Sequence, residues 1–162
     1  MLTIGFTRIS PTHHRFDYRR PDGSGESRAF ETRSTLRHDL IHFAFETEAG
    51  LTDSFYGLIA KGATFDTLAG KGPDAFAPGS EIGLTERIVG PLSGVCYGES
   101  DAAPFVAGVG TFLAAQGETA PVWLTSNLVE RVRDRYRRLH GQWKSTPFGD
   151  TMTLEFIPKQ PS

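Results

Sequence analysis

The chain is short of the features that mark secreted, membrane-spanning and nucleic-acid-binding proteins. It has one cysteine, Cys96, so no internal disulfide can form and the disulfide frameworks of small secreted domains are excluded. No apolar run approaches the ~18 residues of a membrane-spanning helix. The opening residues Met1-Leu2-Thr3-Ile4-Gly5-Phe6 lack the basic region and apolar stretch of a secretory signal. There is no basic excess, since 17 Lys and Arg stand against 19 Asp and Glu for a formal net charge of −2. That balance gives no global attraction to nucleic acid or to anionic membrane. The expectation is a soluble, cytoplasmic protein, bacterial in type, with neither nucleic acid nor membrane among its partners.

Several catalytic signatures are missing too. Gly23-Ser24-Gly25 and Gly108-Val109-Gly110 have no P-loop Lys and no strand–Gly-rich turn–helix setting, so no nucleotide cofactor is expected. No Gly-x-Ser-x-Gly elbow supports a hydrolase of that kind. Cys96 has no electropositive neighbour in sequence to activate a thiol, and is expected to be buried and inert.

What is present is an ordinary globular composition, 38% hydrophobic and 22% charged over 162 residues. This fits a single domain, 1–162, with its own core. Twelve Phe point to a Phe-rich interior and an aromatic-walled pocket.

Residues 2–9 and 14–20 alternate apolar and polar side chains. Pro21-Asp22-Gly23-Ser24-Gly25 is the strongest turn, and 26–33 reads as a third strand. Residues 151–157 alternate again, with Met152, Leu154 and Phe156 on one side. The wet faces of these strands carry Arg, Asp and Glu, which predicts an antiparallel sheet covered on one side only.

Between the strands the spacing predicts helices over 36–48 (capped by Thr35), about 53–61, and 81–97 (capped by Ser80, bent or broken at Gly90-Pro91). Two more are predicted over 102–116 and 128–140. Asn127 with Glu130 resembles a capping box for the last, and Gly141 ends it. Residues 70–80 read as a loop or lid. The fold class is therefore α+β, a small antiparallel sheet of N-terminal hairpins and C-terminal strand packed on several helices.

The first helix carries the chemistry. At about 100° per residue, Leu36, Leu40, Phe43 and Ala44 form one apolar stripe, and His38, His42 and Glu46 lie opposite it. Two His at i and i+4 face the same way and can chelate one cation. Asp39 can be a third ligand, or an acceptor that orients a ring N–H of one of the histidines. Glu46 lies eight residues after His38, about 12 Å along the axis, and is less able to join it. Asp53, Glu81, Glu86 and Asp101 are carboxylates that other elements can bring. His38, Asp39 and His42 are thus the candidate metal ligands, for a divalent transition metal, zinc or iron. The alternative is a ligand-binding or protein-interaction domain in which the same cluster is structural. A small molecule or a protein is the expected partner, with homo-oligomerisation through exposed aromatics such as Trp123 or Trp143 left open.

Elsewhere, His13-His14 reads as a solvated turn. Arg131, Arg133, Arg135, Arg137 and Arg138 spread around their helix and read as a salt-bridged surface, with Glu130–Arg133 and Asp134–Arg138 pairs.

Leu36-Arg37-His38-Asp39-Leu40-Ile41-His42-Phe43, with Gly50-Leu51, Phe55-Tyr56-Gly57-Leu58, Gly62, Trp143 and Gly149-Asp150-Thr151-Met152-Thr153-Leu154, resembles an uncharacterised family of small bacterial proteins. That resemblance spans most of the chain and implies a fold, not an activity. His38-Asp39-x-x-His42 alone also resembles the zinc-protein family of ubiquinone biosynthesis, whose HDxxH is followed by a Glu ligand. Ser54 stands at that position here, with Asp53 just before it. The second resemblance implies zinc at His38, Asp39 and His42.

Overall fold

A computed structural model describes residues 1–69 and 71–158. Three strands, β1 (Leu2–Arg8), β2 (His13–Arg19) and β3 (Gly25–Glu31), run as consecutive hairpins, and β4 (Thr151–Phe156) returns from the far end of the chain. All neighbours are antiparallel, in the order β3-β2-β1-β4. Register follows the alternation: Phe6 faces Phe16 and Met152, and Ile4 faces Tyr18 and Leu154. Leu2, Ile4, Phe6, Phe16, Tyr18, Met152, Leu154 and Phe156 are all buried on one face, because side chains two apart share a side of a strand.

Helices close that face. They are α1 (Thr32–Ala49), α2 (Phe55–Ala60), α3 (Phe65–Leu68), α4 (Glu81–Cys96), α5 (Ala102–Ala115) and α6 (Ser126–Lys144). Rings knit the layers: Phe16 meets Phe55, Tyr56 and Phe65, while Phe43 and Tyr56 meet Phe156. Each such fully buried apolar side chain stabilises the fold by about 1.5–3 kcal/mol. None of the described helices is long and apolar enough to cross a membrane.

Several boundaries differ from the sequence expectation. α1 starts at Thr32, directly off β3, with no side-chain cap on Glu31. Thr35 does not cap it but donates to the Glu31 carbonyl at 2.9 Å. Here strand pairing and burial, rather than a capping signal, set the helix start. The C-terminus obeys the local rule, with Gly50 left-handed at φ 68°.

α4 is capped by Ser80, which accepts from the Gly83 amide at 3.2 Å, and it runs through Gly90-Pro91 unbroken. The cost of Pro91 inside the helix is offset by the burial of Ile88, Val89, Leu92 and Val95 on the same stretch. α6 is capped by Thr125, not Asn127, and passes Gly141 to Lys144 because Trp143 packs in the core at 4% exposure. Trp143 is therefore no exposed interface aromatic.

The arginines of α6 find partners other than those expected. Arg131 and Arg135 reach Glu48 on α1 at 3.3 and 2.8 Å, and Arg133 pairs with Asp134 at 3.2 Å.

Candidate functional site

α1 is buried from Leu40 to Glu46 on almost every side, so its polar residues there must be satisfied within the protein. His42 is 3% exposed and lies between two carboxylates. Its Nδ1 meets Glu46 Oε2 at 3.1 Å, and its Nε2 meets Glu86 Oε1 of α4 at 3.2 Å. His38, one turn earlier, stacks edge-on against it with ring centres 4.7 Å apart. The Nε2 atom of His38 is 3.9 Å from Glu86 Oε2. One ligand atom each from His38, His42 and Glu86 lies within 4.8 Å of the others.

Glu46 holds this arrangement from behind. It is fully buried, and its second oxygen accepts the Tyr56 amide at 2.9 Å. The Tyr56 hydroxyl in turn donates to the Asp39 carbonyl at 2.8 Å. Gly57 lets the chain turn tightly from the preceding loop into α2, because a Cβ there would collide with the Thr52 carbonyl. Glu46 thus connects the histidine to the start of α2, although it is too far along α1 to reach His38.

The charges follow from these neighbours. Burial opposes the His42 cation, but its bonds to Glu46 and Glu86 outweigh that and raise it to about 10. Burial pushes Glu46 up, against the pull of His42 and of the Tyr56 and Gly57 amides. His38 moves the other way, down to about 4, through partial burial and then the His42 charge, with Glu86 pulling against both. Burial raises Asp39 to about 7, with His42 opposing and Glu86 assisting. Among the described residues no hydrogen bond reaches the Asp39 carboxylate.

His38, Asp39, His42 and Glu86, but not Glu46, line one pocket of about 450 Å³. Its other walls are the rings of Phe16, Phe30, Phe55 and Phe65, with Leu68 and Lys71. The edge of the 70–80 segment therefore borders the pocket through Lys71 and Gly72.

Of the three ligands expected from sequence, the structure brings His38 and His42 within coordinating distance of each other, while Asp39 lines the pocket outside that group. Glu86 joins them from another helix, as one of four carboxylates that sequence could not rank. The other three are elsewhere. Asp53 pairs with Lys61, Glu81 accepts from the Asp53 amide and the Ser54 hydroxyl, and Asp101 starts α5. Ser54 bonds Thr85 at 2.8 Å and is no ligand.

His14, expected in a solvated turn, sits on β2 at 0% exposure, with Nδ1 3.0 Å from the Thr32 hydroxyl. Its place in an alternating strand, two residues before Phe16, was the signal that puts it inside. Burial raises the Cys96 thiol to about 12, which leaves it a poor nucleophile at neutral pH.

Compared with known proteins, the chain matches no family model, no curated protein and no solved structure.

Proposed function

We propose that this protein binds a divalent transition metal, zinc or iron, through His38, His42 and Glu86, in the pocket where a small molecule is acted on. The observation that carries this reading is the approach of three ligand atoms within 4.8 Å at one end of a 450 Å³ pocket.

The donor set fits such an ion. Two imidazoles and one carboxylate form a recurrent set for zinc and for non-haem iron, with open positions left for substrate. Ligands at about 2.0–2.1 Å from zinc stand roughly 3–3.5 Å apart, which is the separation of His42 Nε2 and Glu86 Oε1, 3.2 Å. Glu46 on Nδ1 fixes the ring orientation and keeps Nε2 aimed at the site, as carboxylates bonded to the far nitrogen of a ligand histidine do. A cation held there would supply Lewis-acid chemistry to a bound oxygen. The chain's own part is to hold that substrate among the Phe rings, limit water and present Asp39 as a hydrogen-bonding carboxyl.

A second reading has its own support. Both His42 nitrogens already face carboxylates, so the cluster can stand as a buried ionic network that ties α1 to α4 in a domain without catalysis.

Elemental analysis of untagged protein purified without chelator separates the two. The first reading expects a near-stoichiometric transition metal that is lost in His42→Ala and in Glu86→Gln. Absence of metal after reloading with zinc, iron and manganese would leave the ionic network as the better account.

A further inference from the structure

We infer that the ligand of this pocket is a small 2-hydroxy acid, or a similar acid with a donor beside its carboxylate, carrying an aromatic or bulky apolar body. This rests on the metal reading above.

The apolar half of the pocket sets the body. Phe16 meets Phe65 edge-to-face at 5.1 Å and Phe55 at 6.4 Å, and Phe30 meets Phe65 at 6.0 Å. Ring edges and faces offered in this way suit another ring, and aromatic pairs favour such tilted contacts. Leu68 and Ala69 extend the same wall. A sugar or a polyamine would desolvate its polar groups against these rings without partners.

The polar half sets the head. It is gathered on α1 and α4 as His38, His42, Asp39 and Glu86. A phosphate ester is disfavoured, because Lys71 is the one Lys or Arg lining the pocket among the described residues, against the carboxylates of Asp39 and Glu86. Two neutral imidazoles and the single carboxylate of Glu86 would leave a divalent ion with one net positive charge, which one carboxylate oxygen donor on the ligand would meet. Asp39 adds the last requirement. Its carboxylate lines the pocket with no hydrogen bond from the described residues, and so it calls for a donor on the ligand. A hydroxyl beside the carboxylate lets one head group offer both an oxygen ligand for the ion and a donor for Asp39. The volume, about 450 Å³, lies within the range of about 300–1,000 Å³ usual for small-molecule sites.

Cobalt(II)-loaded protein provides the test, because visible cobalt bands respond when an oxygen ligand enters the coordination sphere. The probes are 3-phenyllactate, lactate (no ring) and 3-phenylpropanoate (no hydroxyl), each titrated by calorimetry and by absorption. The expected result is that 3-phenyllactate perturbs the cobalt bands and binds at least about tenfold tighter than lactate, the discrimination an apolar pocket gives for lost hydrocarbon. It should also bind several-fold tighter than 3-phenylpropanoate. In Asp39→Asn, with metal content unchanged, the advantage of the hydroxyl should shrink. Equal affinity for 3-phenyllactate and either of the other acids on fully loaded protein overturns the inference and leaves the metal site standing. Loss of cobalt in Asp39→Asn makes Asp39 a ligand and overturns its role here. Failure of wild-type protein to take up cobalt, zinc or iron removes the metal reading and this inference together.

Discussion

Two histidines lie in the interior of this protein, and their surroundings drive them in opposite directions. His14 enters from the sheet, among Phe6, Phe30 and Trp143. Its Nδ1 has the Thr32 hydroxyl, while its Nε2 has no partner among the described residues. Burial first, then the His13 charge, pushes it down to about 4. His42 enters from α1 and is as deeply placed, yet Glu46 and Glu86 raise it to about 10. Depth is nearly equal, so depth alone does not decide the charge. The carboxylates do: Glu86 comes from α4 and Glu46 stands behind the ring beside α2. The sheet face is closed by rings; the inter-helix gap keeps polar groups that can be put to use.

The largest effect should come from removing the support behind His42. Glu46→Ala leaves the buried His42 cation with Glu86 as its one remaining carboxylate and the Tyr56 amide unpaired, and breaking a buried pair in this way costs about 3–5 kcal/mol. Urea denaturation of the metal-free protein measures it. A loss below about 1 kcal/mol would show that Glu46 is not what holds the site.

The next effect tests the contrast by pH. His14 has a folded value below its unfolded value of about 6.5, so it is neutral in the fold and takes up a proton on unfolding. Its contribution is intact above pH ~6.5 and is lost as pH falls toward about 4. A shift of that size corresponds to roughly 3 kcal/mol. His14→Leu should flatten this acid limb. His42 has the reverse sign: its folded value lies above the unfolded one, so its stabilisation is complete below about 6.5 and fades as pH rises toward about 10. His42→Leu should flatten the alkaline limb and leave the acid limb in place. Stability curves from pH 4 to 10 for the two variants check both, and a shared limb would remove the distinction between the two sites.

Slightly smaller is the effect of metal. Zinc at 100 times its dissociation constant should raise stability by about 2.7 kcal/mol, because only the folded chain brings the three ligands together. Chelator should reverse the gain. Affinity should rise with pH, since a proton must leave His42 Nε2 before an ion can take its place. The same zinc should do nothing for Glu86→Gln, and nothing through His14, whose Nε2 faces an apolar wall.

The same contrast explains what could be read from the chain before it folded. The sheet was legible because Leu2-Ile4-Phe6 and Met152-Leu154-Phe156 alternate, and burial of one face admits only one register. The His38–His42 pair was legible because helical spacing alone puts both on one side. Glu86 is legible only as one of four candidate carboxylates, since it lies 44 residues beyond His42 and reaches the site through the packing of α4 on α1, which no local pattern encodes. The buried state of His14 was missed because a histidine pair was weighed as turn chemistry, when the strand period already placed one of the two inside. Helix ends were misread wherever tertiary packing overrode a cap, as at Thr32 and at Trp143.

The smallest expected change is the one that best separates site from scaffold. His38 is half exposed, with 47% of its side chain in solvent, and its contact with Glu86 is long at 3.9 Å. Exposed ion pairs contribute about 0–1 kcal/mol, and alanine recovers a few tenths in helix propensity. His38→Ala should therefore leave metal-free stability within about 1 kcal/mol of the parent while sharply weakening metal binding. His42 cannot give that separation, because it serves both the network and the site. If His38→Ala destabilises the metal-free protein as much as Glu46→Ala does, then His38 belongs to the scaffold and the proposed site has lost its most exposed ligand. If it spares stability and abolishes the zinc-dependent gain, this half-exposed histidine is held in the pocket for the ion and not for the fold.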